Sequence, residues 1–111
     1  MTVTLYAVFA TDRPDKSGLR ASIRETHRAY LRQAHPEGTV VVLAGPTLGD
    51  DGGMNGTLLV VQAKSLDEVR RFLAADPYLL NDLFATVEIR EWRCGLVRSD
   101  LLAAATPQPA R

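Results

Sequence analysis

The spacing of apolar positions changes several times along the chain, and each change predicts a new element. Residues 3–10 are rich in β-branched and aromatic side chains, and both alternating sets are largely apolar, which is typical of a strand covered on both faces. Turn residues follow, and across residues 19–34 the apolar positions recur at helical spacing. We expect this helix to start near Ser17 and to end at His35-Pro36-Glu37-Gly38, because proline cannot continue it.

Two further strands are predicted with no helix between them. Residues 40–44 form a continuous apolar run that Gly45-Pro46 closes, and residues 57–63 form the next apolar run. A loop rich in glycine and aspartate, residues 49–56, separates the two runs. The two strands are therefore expected to pair as an antiparallel hairpin.

The second half of the chain predicts a helix, a short helical turn and a strand. Ser65 has the features of an N-cap, and Glu68 stands at the capping-box position of a helix that extends to about Ala75. A short turn of helix is expected after Asp76-Pro77-Tyr78, followed by a strand over residues 85–92.

The order of these elements is β-α-β-β-α-β, which predicts an α+β, ferredoxin-like sandwich. In that arrangement two helices cover one face of a four-stranded antiparallel sheet. The first strand is apolar on both sides, so the second face of the sheet also requires a cover. We expect a homodimer in which the sheet of one copy packs on the sheet of the other.

The composition is that of an ordinary domain of 111 residues, 46% of them apolar and 23% charged. Thirteen basic and thirteen acidic residues cancel, which argues against non-specific nucleic-acid binding. A single cysteine excludes an internal disulfide, and no apolar run approaches the roughly 18 residues that span a membrane. Residues 1–5 lack the features of an export signal, so we expect a cytoplasmic protein. The domain is predicted over residues 1–98, with a mobile tail over residues 99–111 that has little to bury.

The first predicted helix carries the most informative polar surface. Arg20, Arg24, His27 and Leu31 share one edge when residues are plotted at about 100° per residue. One interpretation is that the arginines form a solvated face and His27 merely borders the core. The other is that the guanidinium groups hold a carboxylate, phenolate or phosphate beside a partly buried imidazole.

Asp76 also allows two interpretations. Aspartate followed by proline is a favoured start of a helix, so Asp76 has a sufficient structural role as an N-cap. Its carboxylate would alternatively accept a hydrogen bond from one nitrogen of His27 and leave the other nitrogen as a proton acceptor. The two roles are compatible, since a carboxylate has lone pairs for both.

Three further residues are candidates for a binding pocket. Gly45 and Pro46 form a turn or, because glycine lacks a Cβ, leave room for a ligand beside the sheet. Tyr6 either packs in the core or lends its hydroxyl to the pocket. Cys94 is expected to be inert, and His35 to cap the helix or be exposed.

The sequence gives no support for a cofactor. The glycines of residues 49–56 lead into a strand rather than a helix, which is the wrong context for a phosphate-binding loop. Two histidines and one cysteine make a poor zinc set. We therefore expect neither a metal nor a nucleotide cofactor.

Together these residues resemble the YciI-like, or YCII-related, family. The matching pieces are Tyr6-Ala7, the Arg20, Arg24, His27 and Leu31 spacing, Gly38, Ala44-Gly45-Pro46, the glycine-rich hairpin and Ala75-Asp76-Pro77-Tyr78. The resemblance covers residues 3–97, and the tail after Asp100 departs from the compact family pattern. It implies a ferredoxin-like fold that dimerises as an α/β barrel, and an enzyme whose pocket contains His27 and Asp76. One branch of that family removes chloride from a chlorinated hydroxyhydroquinone, and the wider superfamily includes muconolactone isomerases and cofactor-free monooxygenases.

Two hypotheses about function follow. In the first, the protein is a cofactor-free lyase or isomerase acting on a small anionic aromatic or lactone metabolite. His27 takes a proton, Asp76 orients the imidazole, and Arg20 or Arg24 holds the developing oxyanion. In the second, the same cationic pocket belongs to a non-catalytic metabolite-binding or accessory dimer, which needs the arginines but not the base.

Overall fold

The computed structural model describes residues 3–106, and its elements from the first strand to the last follow the predicted order. The elements are β1 (Thr4–Asp12), α1 (Ser17–Arg32), β2 (Val40–Leu48), β3 (Met54–Ala63), α2 (Leu66–Ala74), α3 (Pro77–Leu80), β4 (Phe84–Trp92) and α4 (Ser99–Ala105). All neighbouring strands are antiparallel, and the sheet order is β2-β3-β1-β4. This is the α+β, ferredoxin-like arrangement, so the predicted fold class is confirmed.

The hairpin between β2 and β3 differs from its prediction. Gly45 and Pro46 were expected to close the strand, but β2 continues through them to Leu48, with Pro46 opposite Thr57 of β3. The prediction was wrong because β2 lies at the edge of the sheet, where a residue without an N–H costs no hydrogen bond on the open side. Strand β3 likewise starts at Met54, inside the predicted loop.

Local capping explains where two of the helices begin. The Ser65 hydroxyl accepts a hydrogen bond from the Glu68 N–H at 3.3 Å, as the predicted N-cap of α2. Asp76 caps α3, with Pro77 in the first turn, and its Oδ1 accepts from the Tyr78 N–H at 2.9 Å. Position 76 is therefore fixed at the point where the chain leaves α2 and enters α3.

The core lies between the helices and one face of the sheet. One buried cluster joins β1, β3 and α2, and Tyr30 and Leu31 of α1 pack against it. A second cluster joins β1 to α3 and the start of β4, and Leu19 and Ile23 pack against that cluster. The most deeply buried side chains of α1, however, are Arg20 and His27 rather than the apolar residues of its predicted stripe.

The opposite face of the sheet also carries apolar side chains, of which Ala7 and Val60 are buried and Phe9 is exposed. Ala7, Val60 and Leu43 stand in register across three strands, and Phe9 stands beside Leu58. Phe9 remains 47% exposed. We name this surface, comprising these five residues, the open sheet face.

The segment after β4 contains an element that the sequence did not predict. Residues 99–105 form α4, and none of its residues is buried. The helix therefore agrees with the expectation that the segment has little to bury. The predicted mobility of residues 99–111 stays a prediction, and residues 107–111 lie outside the described residues.

Candidate functional site

A cleft of about 980 Å³ separates α1 from β2 on the helix side of the sheet. One loop joins the end of α1 to the start of β2, so one end of the cleft lies near Arg32 and Val40. The other end lies near Arg20, Pro46 and Thr57. The predicted site residues in its walls are Arg20, Arg24, His27, Gly45 and Pro46.

His27, which lines this cleft, is hydrogen-bonded to Asp76, which is not among the lining residues. The distance from His27 Nδ1 to Asp76 Oδ1 is 2.8 Å, and the two residues are 5% and 1% exposed. Asp76 Oδ1 also accepts a hydrogen bond from the Tyr78 N–H. The same oxygen therefore caps α3 and contacts the imidazole of His27, as both interpretations of Asp76 require. Because a carboxylate only accepts, Nδ1 is the protonated nitrogen of a neutral His27. No described residue hydrogen-bonds Nε2, and the His27 side chain lines the cleft.

Tyr78 contacts the imidazole of His27, and the sequence analysis did not identify it as a site residue. Its ring stacks on the imidazole with centroids 3.8 Å apart and planes 14° from parallel. The pKa of the Tyr78 hydroxyl is raised, mainly because the hydroxyl is buried. The positive charges of Arg20 and Arg24 lower this pKa, and the negative charge of Asp76 raises it, without changing the net direction. The aromatic residue two positions after an N-cap aspartate was the available clue, but only the packing of α3 on α1 shows that it meets His27.

Arg20 is not part of a solvated face. Its Nε and Nη2 donate to the two oxygens of Asp12 at 2.7 and 2.9 Å, and Nη2 also donates to Thr57 Oγ1 at 2.8 Å. The guanidinium carbon lies 4.7 Å from the centre of the Tyr78 ring. Burial alone lowers the pKa of Arg20, but the hydrogen bonds and charge of Asp12 outweigh it, and the net shift is upward. Most of the hydrogen-bonding capacity of Arg20 is thus committed within the protein.

Arg24 stands one helical turn further along and is differently placed. It is partly buried, and its Nη2 lies 3.5 Å from the sulfur of Met54. No carboxylate of the described residues pairs with it, so its remaining N–H groups are available to a ligand in the cleft. The same spacing in the sequence therefore yields one structural arginine and one with donors to spare.

The remaining candidates divide between the cleft and the core. Gly45 lines the cleft beside Pro46, and a Cβ built on Gly45 meets no atom within 4 Å. Packing within this chain therefore does not require glycine there. Tyr6 lies in the core cluster of β1 and does not line the cleft, which favours its packing interpretation.

Of the other two residues considered from the sequence, His35 also lines the cleft and Cys94 does not. His35 Nε2 lies 3.0 Å from the Tyr30 carbonyl near the end of α1, and Cys94 is exposed. Between residues 3 and 106, no three His, Cys, Asp or Glu side chains form a group that could hold a metal ion. In the same range, no helix has both the length and the apolar character required to cross a membrane.

Comparisons with known proteins agree with this architecture. The chain is 28% identical over 95 residues to the protein YciI of Escherichia coli O6:H1, covering 80% of this chain and 96% of that one. An uncharacterized protein of Haemophilus influenzae is 27% identical over 93 residues, covering 79% of this chain and 95% of that one.

Solved structures give the same result. The 5-chloro-2-hydroxyhydroquinone dehydrochlorinase of Burkholderia phenoliruptrix AC1100, in complex with 2,5-dihydroxybenzoquinone, superposes with a TM-score of 0.72 at 33% identity, covering 82% of this chain and 95% of that one. PA3566 of Pseudomonas aeruginosa shares the fold at a TM-score of 0.51 and 12% identity, covering 83% and 93%. The family model of the YCII-related domain matches residues 4–93. The chain therefore belongs to the YCII-related family.

Proposed function

We propose that this protein is a cofactor-independent lyase or isomerase that acts on a small anionic aromatic or lactone metabolite. The observation that carries the proposal is the buried 2.8 Å contact between His27 Nδ1 and Asp76 Oδ1, with the imidazole lining the cleft. A histidine oriented in this way has the tautomer of a general base, since Nε2 keeps its lone pair. When Nε2 takes a proton, the adjacent carboxylate stabilises the resulting imidazolium.

Arg24 is the group that we assign to the negative charge of the substrate. It lies one turn from His27 on the same helix and has no carboxylate partner among the described residues. A guanidinium donates to a phenolate or carboxylate with fixed geometry, and such donors stabilise a developing oxyanion most where water is excluded. Arg20, held by Asp12 and Thr57, instead supports the Tyr78 ring that stacks on His27.

The class of substrate is supported by the 33% identical dehydrochlorinase, which binds 2,5-dihydroxybenzoquinone. For a halogenated hydroxyhydroquinone in its keto tautomer, in which one ring carbon carries both hydrogen and halogen, His27 Nε2 removes the proton of a ring hydroxyl. The electron pair then moves through the adjacent C=C bond to expel the halide, and a hydroxybenzoquinone remains. The substrate loses one proton and one halide ion, so the step balances without an oxidant. An isomerisation uses the same base, with the proton returned to another carbon.

We further propose that two copies pack through the open sheet face. Phe9 and Leu58 are adjacent on that face, and Phe9 is 47% exposed, which is unfavourable for an aromatic side chain in water. A second copy offers an identical apolar surface, as an isologous dimer requires. The cleft lies on the other side of the sheet and stays accessible in such a dimer.

The experiment compares His27→Gln with the control Arg70→Gln, an exposed change on α2 outside the cleft, in halide release from 5-chloro-2-hydroxyhydroquinone and other halogenated hydroxyhydroquinones. We expect His27→Gln to lower kcat/KM by roughly 10²–10⁴-fold, because general-base catalysis contributes about that much. Arg70→Gln should leave turnover nearly unchanged, since Arg70 is exposed and does not line the cleft.

Nitrogen-15 NMR of the imidazoles gives an independent test. The neutral His27 should show a protonated Nδ1 and an unprotonated Nε2. Full turnover in His27→Gln, or a protonated Nε2 in the neutral wild-type ring, would contradict the general-base mechanism. Tight binding of 2,5-dihydroxybenzoquinone without turnover of any compound would favour the non-catalytic metabolite-binding alternative.

A further inference from the structure

We propose that the cleft binds an elongated dianion, with one acidic group at Arg24 beside His27 and the second at the opposite end, between Arg32 and Thr39. The inference deepens the proposed function, because it concerns the same cleft and names the charge and length of the molecule that fills it. It rests on the arginines of α1 and on the buried hydroxyl of Thr39.

The arginines of α1 form a continuous basic wall. Arg20, Arg24, Arg28 and Arg32 recur every four residues and all line the cleft. Residues four apart on a helix lie on neighbouring turns of the same face, so these guanidinium groups border one long groove. The chain as a whole has no net charge, so this wall is a local concentration of positive charge.

Acidic side chains leave much of this charge uncompensated. Asp12 neutralises Arg20 through a buried pair. Glu25 is the only acidic side chain among the described cleft-lining residues, and it contacts Arg28 at 3.2 Å across an exposed surface. An exposed pair of this kind is weak and competes poorly with a ligand. Arg24 and Arg32 have no carboxylate within ion-pair distance among the described residues, and they mark the two positions assigned to the acidic groups.

Thr39 distinguishes the far end of the cleft from an ordinary helix terminus. A cation in the last turn of α1 is favoured by the helix dipole alone, so Arg32 by itself does not indicate a ligand. Thr39 lines the same end of the cleft and is 2% exposed, yet its hydroxyl has no hydrogen-bond partner within residues 3–106. Buried hydroxyls in native proteins are nearly always satisfied. An acidic group of a ligand would supply the missing acceptor.

The dimensions of the cleft leave room for a molecule longer than a single ring. Arg24 and Arg32 are eight residues apart, so their Cα atoms are separated by about 12 Å along the helix. A single six-membered ring with one acidic group reaches only one of these arginines. A cleft of about 980 Å³ accommodates a larger molecule that reaches both.

The test uses probes that differ only in the second charge. Biphenyl-4,4′-dicarboxylate and biphenyl-4-carboxylate share the same rings, and terephthalate carries two carboxylates on one ring. Titration calorimetry of the wild-type protein should show that the long dicarboxylate binds at least tenfold more tightly than either other compound. Charge-assisted hydrogen bonds to the second carboxylate provide the difference.

Variants then locate the second carboxylate. Arg32→Gln and Thr39→Val should each reduce the advantage of the long dicarboxylate at least threefold, while Thr39→Ser, which keeps the hydroxyl, should preserve it. Arg70→Gln on α2, which removes an exposed arginine outside the cleft, is the matched control and should change nothing. Circular dichroism establishes that each variant is folded.

Two results would overturn the inference. One is equal affinity of the two biphenyl acids for the wild-type protein, including the absence of measurable binding by both. The other is that Arg32→Gln and Arg70→Gln change the advantage of the long dicarboxylate over the other compounds by the same factor. Failure of the proposed function is distinguishable, because full turnover in His27→Gln would contradict the general-base mechanism but leave the preference for the long dicarboxylate standing.

Discussion

The ion pair between Arg20 and Asp12 provides a quantitative test of how the site is built. Both side chains are almost fully buried, at 4% and 7% exposure, and Nε lies 2.7 Å from the carboxylate. Asp12→Asn keeps the shape of the side chain but leaves the guanidinium without its counter-charge. Removing one partner of a buried pair costs about 3–5 kcal/mol, because an uncompensated charge remains inside the protein.

The chain contains a matched control for this substitution. Arg13 and Asp82 form an ion pair at 3.0 Å, but their side chains are 45% and 80% exposed. Asp82→Asn should lower the free energy of unfolding by no more than about 1 kcal/mol, since solvent screens an exposed pair. Asn also accepts the positive φ of 56° found at position 82.

Urea unfolding followed by circular dichroism, at one protein concentration, measures both substitutions. Linear extrapolation yields the free energy of unfolding, provided that the slope against urea is unchanged. The double variant Arg20→Met/Asp12→Leu should regain much of the loss, because an apolar pair leaves no charge buried. If Asp12→Asn and Asp82→Asn differed by less than about 1 kcal/mol, the buried pair would not have the structural role assigned to it.

Three further predictions test other parts of the structure. In the same urea assay, Tyr78→Leu should lower the free energy of unfolding by about 3 kcal/mol, because it removes a buried aromatic ring. Tyr78→Phe keeps the ring stacked on His27 and should lower it by less than about 1 kcal/mol. Phe9→Glu should convert a dimer to a monomer, as measured by size-exclusion chromatography with light scattering. Leu80→Glu, an exposed change on the helix side of the sheet, should leave the dimer intact. A Phe9→Glu variant that remained dimeric would rule out the open sheet face as the interface. Burial, followed by the charges of Asp76 and Glu37, raises the pKa of Tyr30 to about 12. The stability contributed by this shift is complete below about pH 10 and is lost as the pH rises towards 12, so the urea midpoint should fall less steeply in Tyr30→Phe above about pH 10.

The order and type of the elements were accessible from the sequence because their determinants are local. Ser65 and Glu68 identify the start of α2 through the capping box, and the structure has the expected hydrogen bond. The end of β2 was not accessible in this way. Gly45-Pro46 is a turn sequence by local preference, and only the edge position of β2 in the sheet allows the strand to continue.

The roles of the arginines depended on tertiary contacts that spacing does not contain. Arg20 and Arg24 are equivalent on a helical wheel, and both were candidates for binding the substrate. Arg20 differs because β1 extends two residues past its predicted end, to Asp12, which then reaches the first turns of α1. The hydroxyl of Thr57, from a strand 37 residues away, completes the enclosure of the guanidinium. Such a contact has no periodic pattern in the sequence.

Asp76 both caps α3 and contacts the imidazole of His27, and substitutions separate these two roles. Asn is as good an N-cap as Asp, so Asp76→Asn should keep the hydrogen bond from the Tyr78 N–H and change stability by less than about 1 kcal/mol. Its neutral amide cannot stabilise the imidazolium of His27, so kcat should fall by roughly a hundredfold or more. Asp76→Ala removes both interactions and should also lower the free energy of unfolding by about 0.5–2 kcal/mol from the cap alone.

The comparison between the two variants decides whether the capping role alone explains Asp76. Urea unfolding measures the cap, and turnover together with nitrogen-15 NMR of His27 measures the contact with the imidazole. Retained turnover in Asp76→Asn would mean that the aspartate is present for the helix and that the base works without its charge. Lost turnover with unchanged stability would mean that capping alone does not account for the aspartate, since asparagine at the start of α3 would have served the fold equally well.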